Sequence, residues 1–185
     1  MKVKICGLTR LADIEACNAA LPDYIGFVFA PSQRRVTVIQ ARHLKQALDP
    51  RTKAVGVFVN ASLEEIAQAS EFLDLIQLHG NESEVFVRQV KSLYSLPVIK
   101  LGESNAADYL VFDSPQPGSG QTFDWNTISC YNKPYFLAGG LALENIAKAA
   151  THMPYCLDVS SGVETSGVKD REKILQFVSQ VRRLP

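Results

Sequence analysis

Short β-branched runs alternate with longer segments of helical spacing from end to end, and this regularity constrains the fold more than any other feature of the chain. The expected strands are Val3–Ile5, Tyr24–Phe29, Ala54–Val59, Leu75–Leu78, Val98–Lys100, Tyr109–Phe112, Tyr135–Ala138 and Tyr155–Val159. Between them, Leu11–Ala20, Val38–Leu48, Leu63–Ser70, Ser83–Leu93, Leu143–Ala150 and Arg171–Val181 repeat apolar residues at helical spacing. Ser62, with Glu65 three residues on, and Asp170 ahead of the last helix supply N-terminal caps. Strand–helix–strand repetition makes the strands parallel and the crossovers right-handed. Eight strands predict an α/β fold, a (β/α)8 TIM barrel, with a doubly wound open sheet as the competitor. At 185 residues the barrel must be compact, since ~200 or more is usual. The saving falls between Lys100 and Tyr109, where eight residues leave no room for a crossover helix, so the fifth helix is expected to be missing or replaced by a loop. Asn126–Ser129 allows at most about one helical turn. No linker divides the chain, and residues 1–185 read as a single domain.

Charge and cysteine usage exclude several classes of function. Lys+Arg and Asp+Glu both total 19, a formal net charge of zero, so the basic surplus of a nucleic-acid binder is missing. The longest uninterrupted apolar run, Ile25 to Ala30, is far too short to cross a bilayer, and no secretory leader follows Lys2 and Lys4. A cytoplasmic protein is expected. Cys6, Cys17, Cys130 and Cys156 form no C-x-x-C pair and read as free thiols. His43, His79 and His152 share no metal-ligand spacing, so neither a metal nor another cofactor is expected.

Parallel strands buried on both faces should be apolar throughout, and the exceptions here cluster at strand ends. Cys6 follows the first strand, Gln77 and His79 close the fourth, Asp113 closes the sixth and Asp158 lies near the end of the eighth. Those C-terminal ends form the active face of a barrel. Period two puts Lys4 and Cys6 on one side of their strand, with Gln77 and His79 together on theirs. A thiol, a carboxylate and an imidazole meeting at one rim suit acid–base chemistry. Singly, each has a plainer explanation: a buried cysteine as a small hydrophobe, Asp113 as a turn residue before Ser114-Pro115, His79 as a structural residue before Gly80. Glycine-rich loops add a second signal. Gly118-Ser119-Gly120 follows the sixth strand, Gly139-Gly140 the seventh and Ser160-Ser161-Gly162 the eighth. Consecutive backbone amides with no side chain in the way cradle a phosphate, and the loops after strands seven and eight are where barrels usually bind one. The alternative is that these glycines only make tight turns. No G-x-x-x-x-G-K-[ST] is present, which argues against nucleoside triphosphate chemistry.

Lys4-Ile5-Cys6-Gly7-Leu8-Thr9 resembles the opening of the phosphoribosylanthranilate isomerases. Gly26-Phe27-Val28-Phe29, Gly56-Val57-Phe58-Val59-Asn60, Gln77-Leu78-His79-Gly80, Thr122-Phe123-Asp124-Trp125, Ala138-Gly139-Gly140-Leu141 and Asp158-Val159-Ser160-Ser161-Gly162-Val163-Glu164 extend the likeness over nearly the whole chain. The resemblance implies a cofactor-free Amadori rearrangement in tryptophan biosynthesis, by an intramolecular aldose–ketose isomerase acting on a small phosphorylated substrate. It implies Asp113 as general acid and Cys6 as general base, with Lys4 a nearby cation. Arg35 would grip the anthranilate carboxylate, with adjacent Arg34 the alternative. His79 and Asp158 would position substrate, and Gly118, Gly120, Gly139, Gly140, Ser160 and Ser161 would hold phosphate. A monomer is expected, or else a homodimer.

Two rival readings remain at this level. A phosphosugar isomerase of histidine biosynthesis would perform the same rearrangement, but is expected to carry aspartate on the first strand and two symmetric phosphate sites. A non-catalytic phosphate-binding barrel that regulates a partner would have no need of both Cys6 and Asp113.

Overall fold

Eight parallel strands close into a barrel in a computed structural model that describes residues 1–115, 120–128 and 132–184. The strands are β1 (Lys2–Cys6), β2 (Tyr24–Val28), β3 (Lys53–Phe58), β4 (Leu75–Leu78), β5 (Val98–Leu101), β6 (Tyr109–Phe112), β7 (Tyr135–Leu137) and β8 (Cys156–Val159). They pair in chain order, and β8 returns to β1 with Lys4 opposite Asp158. Closure removes the exposed edges that a doubly wound sheet would leave.

The outer helices are α1 (Leu11–Ala20), α2 (Val38–Gln46), α3 (Leu63–Ser70), α4 (Glu84–Tyr94), α5 (Ile146–Ala150) and α6 (Arg171–Arg182). Their starts follow from local chemistry. The Ser62 side chain accepts from the Glu65 N–H while the Glu65 carboxylate accepts from the Ser62 N–H, a reciprocal cap on α3. Thr37 and Gln40 do the same for α2, and the Asp170 side chain accepts from the N–H groups of Glu172 and Lys173 at α6. Residues 102–108, between β5 and β6, contain no helix; between β6 and β7 the described residues form one 3-10 turn, Trp125–Thr127. An antiparallel hairpin, β9 (Glu164–Thr165) and β10 (Val168–Lys169), follows β8. Ser166 and Gly167 both take positive φ at its tip, as a two-residue hairpin loop of matching twist requires.

Alternate residues of each strand face the barrel axis. Tyr24, Val55, Leu75, Ile99, Val111, Phe136 and Cys156 fill the interior away from the rim, with Tyr109 edge-on to Phe136 and Tyr155 tilted against it. The opposite faces pack beneath the helices in one continuous cluster that includes Ile5, Phe27, Phe58, Leu78, Leu157 and Phe177. Nearer the rim the interior turns polar, with Lys4, Gln77 and Asp158 all buried. No helix among the described residues is long and apolar enough to cross a membrane.

Candidate active site

The polar strand ends converge on one cleft of about 300 Å³ at the C-terminal mouth of the barrel, lined by Cys6, Gln77, His79, Asp113 and Asp158. Its apolar wall is Val28, Ala30, Val57 and Val59; the opposite wall is Gly120, Gly139, Gly140, Ser160 and Ser161. The described residues contain no cluster of His, Cys, Asp or Glu that would hold a metal ion.

Cys6 ends β1, one strand step beyond Lys4 on the same face. Burial pushes its thiol up, and the Lys4 ammonium pulls it back by charge and hydrogen bonding. Lys4 is fully buried, and its Nζ donates to Asp158 Oδ2 at 2.7 Å and to Gln77 Oε1 at 2.8 Å. Burial disfavours the ammonium, but Asp158 and Cys6 outweigh it and the Lys4 pKa is raised. Burial likewise pushes the Asp158 carboxyl up, against the pull of Lys4. Asp158 Oδ1 is buried with no hydrogen-bond partner, an orphan acceptor on a residue that lines the cleft. Asp113 follows β6 directly; its Oδ1 accepts from the Ser114 N–H at 2.7 Å and its Oδ2 lies 3.1 Å from His79 Nε2.

Gly26 lies beside Cys6 across the β1–β2 pair, and a Cβ there would sit 2.7 Å from Cys6 Sγ. The thiol occupies the space this glycine leaves. Gly26→Ala is therefore expected to keep its circular dichroism and thermal transition while kcat falls by up to about 100-fold, the scale for a reacting group displaced by ~1 Å. An unchanged kcat would show that the thiol's position there is immaterial.

On the glycine wall, Gly140 has φ +65° and its Cα abuts backbone, so a Cβ would lie 2.5 Å from Gln121 C and Thr122 N. Asn145 braces the same loop, donating through Nδ2 to Gly140 O and accepting through Oδ1 from the Ala142 N–H. Gly120, Gly139 and Ser161 join it at the rim, whereas Gly118 lies outside the described residues. The Ser160 hydroxyl donates to the Cys6 carbonyl at 3.0 Å, so its side chain ties β8 to β1.

Arg35 is corrected. It is exposed and faces a neighbouring hollow with Glu65 and Gln68, outside the cleft. Arg34 lines the cleft instead. After a turn closed by the Arg35 N–H on Ser32 O, Arg35 bridges to Val28 in extended backbone, where successive side chains point to opposite sides. The Arg34 guanidinium pairs with Glu164 through Nε at 2.7 Å and Nη2 at 2.8 Å, and Lys169 bonds to the same carboxylate. Burial works against the Glu164 carboxylate, but the two cations hold its pKa below the ordinary value. Neither Glu164 nor Lys169 stood out in the sequence as a site residue. The local signals are the motif that Glu164 closes and the hairpin turn at Ser166-Gly167 that brings the two together.

A (β/α)8 barrel whose rim gathers a thiol, a carboxylate, an imidazole and a glycine-walled anion cradle defines an acid–base enzyme for a small phosphorylated molecule. Residues 3–180 match the family model of N-(5'-phosphoribosyl)anthranilate isomerase. The chain is 41% identical to the N-(5'-phosphoribosyl)anthranilate isomerase of Endomicrobium trichonymphae, covering 99% of each sequence. Its fold is similar to that of phosphoribosyl anthranilate isomerase from Thermus thermophilus, with TM-score 0.88, 35% identity and full coverage of both chains. It is also similar, with TM-score 0.84, 34% identity and full coverage of both chains, to a phosphoribosyl anthranilate isomerase solved in complex with reduced 1-(o-carboxyphenylamino)-1-deoxyribulose 5-phosphate. The chain belongs to the N-(5'-phosphoribosyl)anthranilate isomerase family.

Proposed function

We propose that this cleft opens the ribose ring of N-(5'-phosphoribosyl)anthranilate and carries it to 1-(2-carboxyphenylamino)-1-deoxyribulose 5-phosphate, the isomerisation of tryptophan biosynthesis to which the family belongs. The observation that carries the reading is that Cys6 and Asp113 line one cleft between an apolar wall and a glycine wall. Asp113 protonates the ring oxygen, which opens the ring to a Schiff base. The Cys6 thiolate removes the C2' proton to give an enolamine, and tautomerisation yields the ketone. In class this is an intramolecular aldose–ketose isomerisation that needs no cofactor: Asp113 loses one proton and Cys6 gains one, and exchange with water returns both groups to their starting states. Phosphate meets the backbone at Gly120, Gly139, Gly140 and Ser161, with Ser160 contributing from the main chain. Asp158 Oδ1 accepts from a sugar hydroxyl, which relieves its missing partner. The protein works in the cytoplasm in this reading, as a monomer or else a homodimer. Loss of the fluorescence of freshly made phosphoribosylanthranilate tests the activity directly; no loss on adding protein would refute it.

Arg34 takes the role of holding the anthranilate carboxylate. Its bond to Glu164 uses two of five guanidinium N–H groups, leaving donors for the substrate. Lys169 and Arg34 share the single charge of Glu164, so the group of three offers one net positive charge to the incoming carboxylate. Arg34→Ala is expected to weaken binding of a reduced product analogue by ~1.5–3 kcal/mol, the range for hydrogen bonds to charged groups. Arg35→Ala should change it little. Calorimetry with an analogue lacking the benzoate carboxylate completes the test, since Arg34→Ala and the native chain should bind it about equally. A larger loss in Arg35→Ala would return the contact to that residue.

A further inference from the structure

Lys4, Gln77, His79 and Asp113 form a hydrogen-bonded chain whose direction follows from the chemistry of lysine. An ammonium donates and cannot accept, so the Gln77 atom 2.8 Å from Lys4 Nζ must be the carbonyl oxygen Oε1. That fixes the amide, and Nε2 faces His79 Nδ1 at 2.9 Å. An amide nitrogen only donates, so Nδ1 accepts and carries no proton. The proton of the neutral ring is left on Nε2, 3.1 Å from Asp113 Oδ2, and is donated there. The Ser114 N–H holds the other carboxyl oxygen, so both oxygens of Asp113 are constrained.

We propose that Gln77 is a positioning residue that, with Lys4 behind it, locks His79 as the Nε2–H tautomer and thereby aims the Asp113 carboxyl at the ring oxygen of the substrate. This rests on Asp113 being the acid. The other tautomer would set Nδ1–H against the Gln77 amide hydrogens, and its bare Nε2 would accept the Asp113 carboxyl proton and turn it away from the substrate. Lys4 also acts on Cys6, so one buried ammonium sits beside the base and, through two residues, orients the acid.

Gln77→Glu tests this with almost no change of shape. A carboxylate accepts both from Lys4 and from His79, so it draws a proton onto Nδ1. In nitrogen-15 spectra of the full-length protein, His79 should show a bare Nδ1 and a protonated Nε2 in the native chain, and a protonated Nδ1 in Gln77→Glu. The His79 signals are assigned by their loss in His79→Gln. kcat should fall about tenfold in Gln77→Glu, with KM within about twofold, because aim rather than affinity is lost. Gln77→Met, which can neither accept nor donate in this way, should show mixed tautomers and a similar loss. A native His79 with protonated Nδ1 overturns the proposal even if Gln77→Glu does not fold. So does a tautomer change in Gln77→Glu or Gln77→Met with unaltered kcat. Full activity in Asp113→Asn would instead sink the acid role itself and leave the native tautomer result standing.

Discussion

Cys6→Ser should fold like the native chain and lose about 10²–10⁴-fold in kcat, the worth of one positioned proton transfer. The two side chains nearly match in size, and Cys6 sits on a strand end with room provided by Gly26, so packing gives no reason for the loss. The difference is ionisation: a hydroxyl beside Lys4 stays protonated where a thiol yields. The thiolate is the competent base and is populated above the thiol's pKa. Burial pushes that pKa up against Lys4 and Lys169, so kcat/KM of the native enzyme should climb as pH rises from about 7 to about 9. In Cys6→Ser the climb should vanish. Steady-state rates across that range decide the matter. A serine variant that keeps both the rate and the alkaline rise would take Cys6 out of the proton transfer.

Local pattern carried the barrel a long way and failed where contacts are remote. Strand β1, expected as Val3–Ile5, runs from Lys2 to Cys6, so the thiol is on the strand rather than after it. Helix α5, expected from Leu143, starts at Ile146 because Asn145 spends its side chain on the Gly140–Ala142 loop and holds the preceding residues in a turn. Helix α2, expected to Leu48, stops at Gln46. The short stretch between β5 and β6 was legible because no helix fits in eight residues, whatever the tertiary context.

The site divides in the same way. That Cys6, His79, Asp113 and Asp158 meet at one cleft was readable because a polar residue at the end of a buried parallel strand conflicts with its surroundings and so stands out. Which of Arg34 and Arg35 lines the cleft was not, because it depends on which side of a turn each faces, and one residue of register reverses the answer. Glu164 closes the motif that begins at Asp158, but nothing near it in the chain points to Arg34, 130 positions away. Gln77 was visible at its strand end, but its orienting role needs Lys4, 73 positions earlier, to dictate which end of the amide faces the histidine.

Asp113→Asn should lose a comparable 10²–10⁴-fold in kcat, since an amide cannot hand a proton to the ring oxygen. It also carries a structural cost that the acid role alone does not predict. The Ser114 N–H keeps an oxygen at the Oδ1 position, so the asparagine NH2 falls opposite His79 Nε2. With His79 held as a donor by Gln77, two donors then face each other and one loses its bond, at about 1–3 kcal/mol if it stays buried. A lowered thermal transition in Asp113→Asn is therefore expected, and chemistry has to be separated from packing by a second variant. Asp113→Ala removes the clash and leaves a space at the rim that a small carboxylic acid can enter. Formate should restore part of its turnover in a saturable way, because the missing function is delivery of a proton to one place. The same addition should do nothing for Cys6→Ser, whose missing function is a base at the other end of the buried chain. If Asp113→Ala turned over substrate at near-native rate without any added acid, ring opening would have to be assigned elsewhere, and His79, a titratable group that touches this carboxyl, would be the residue to examine.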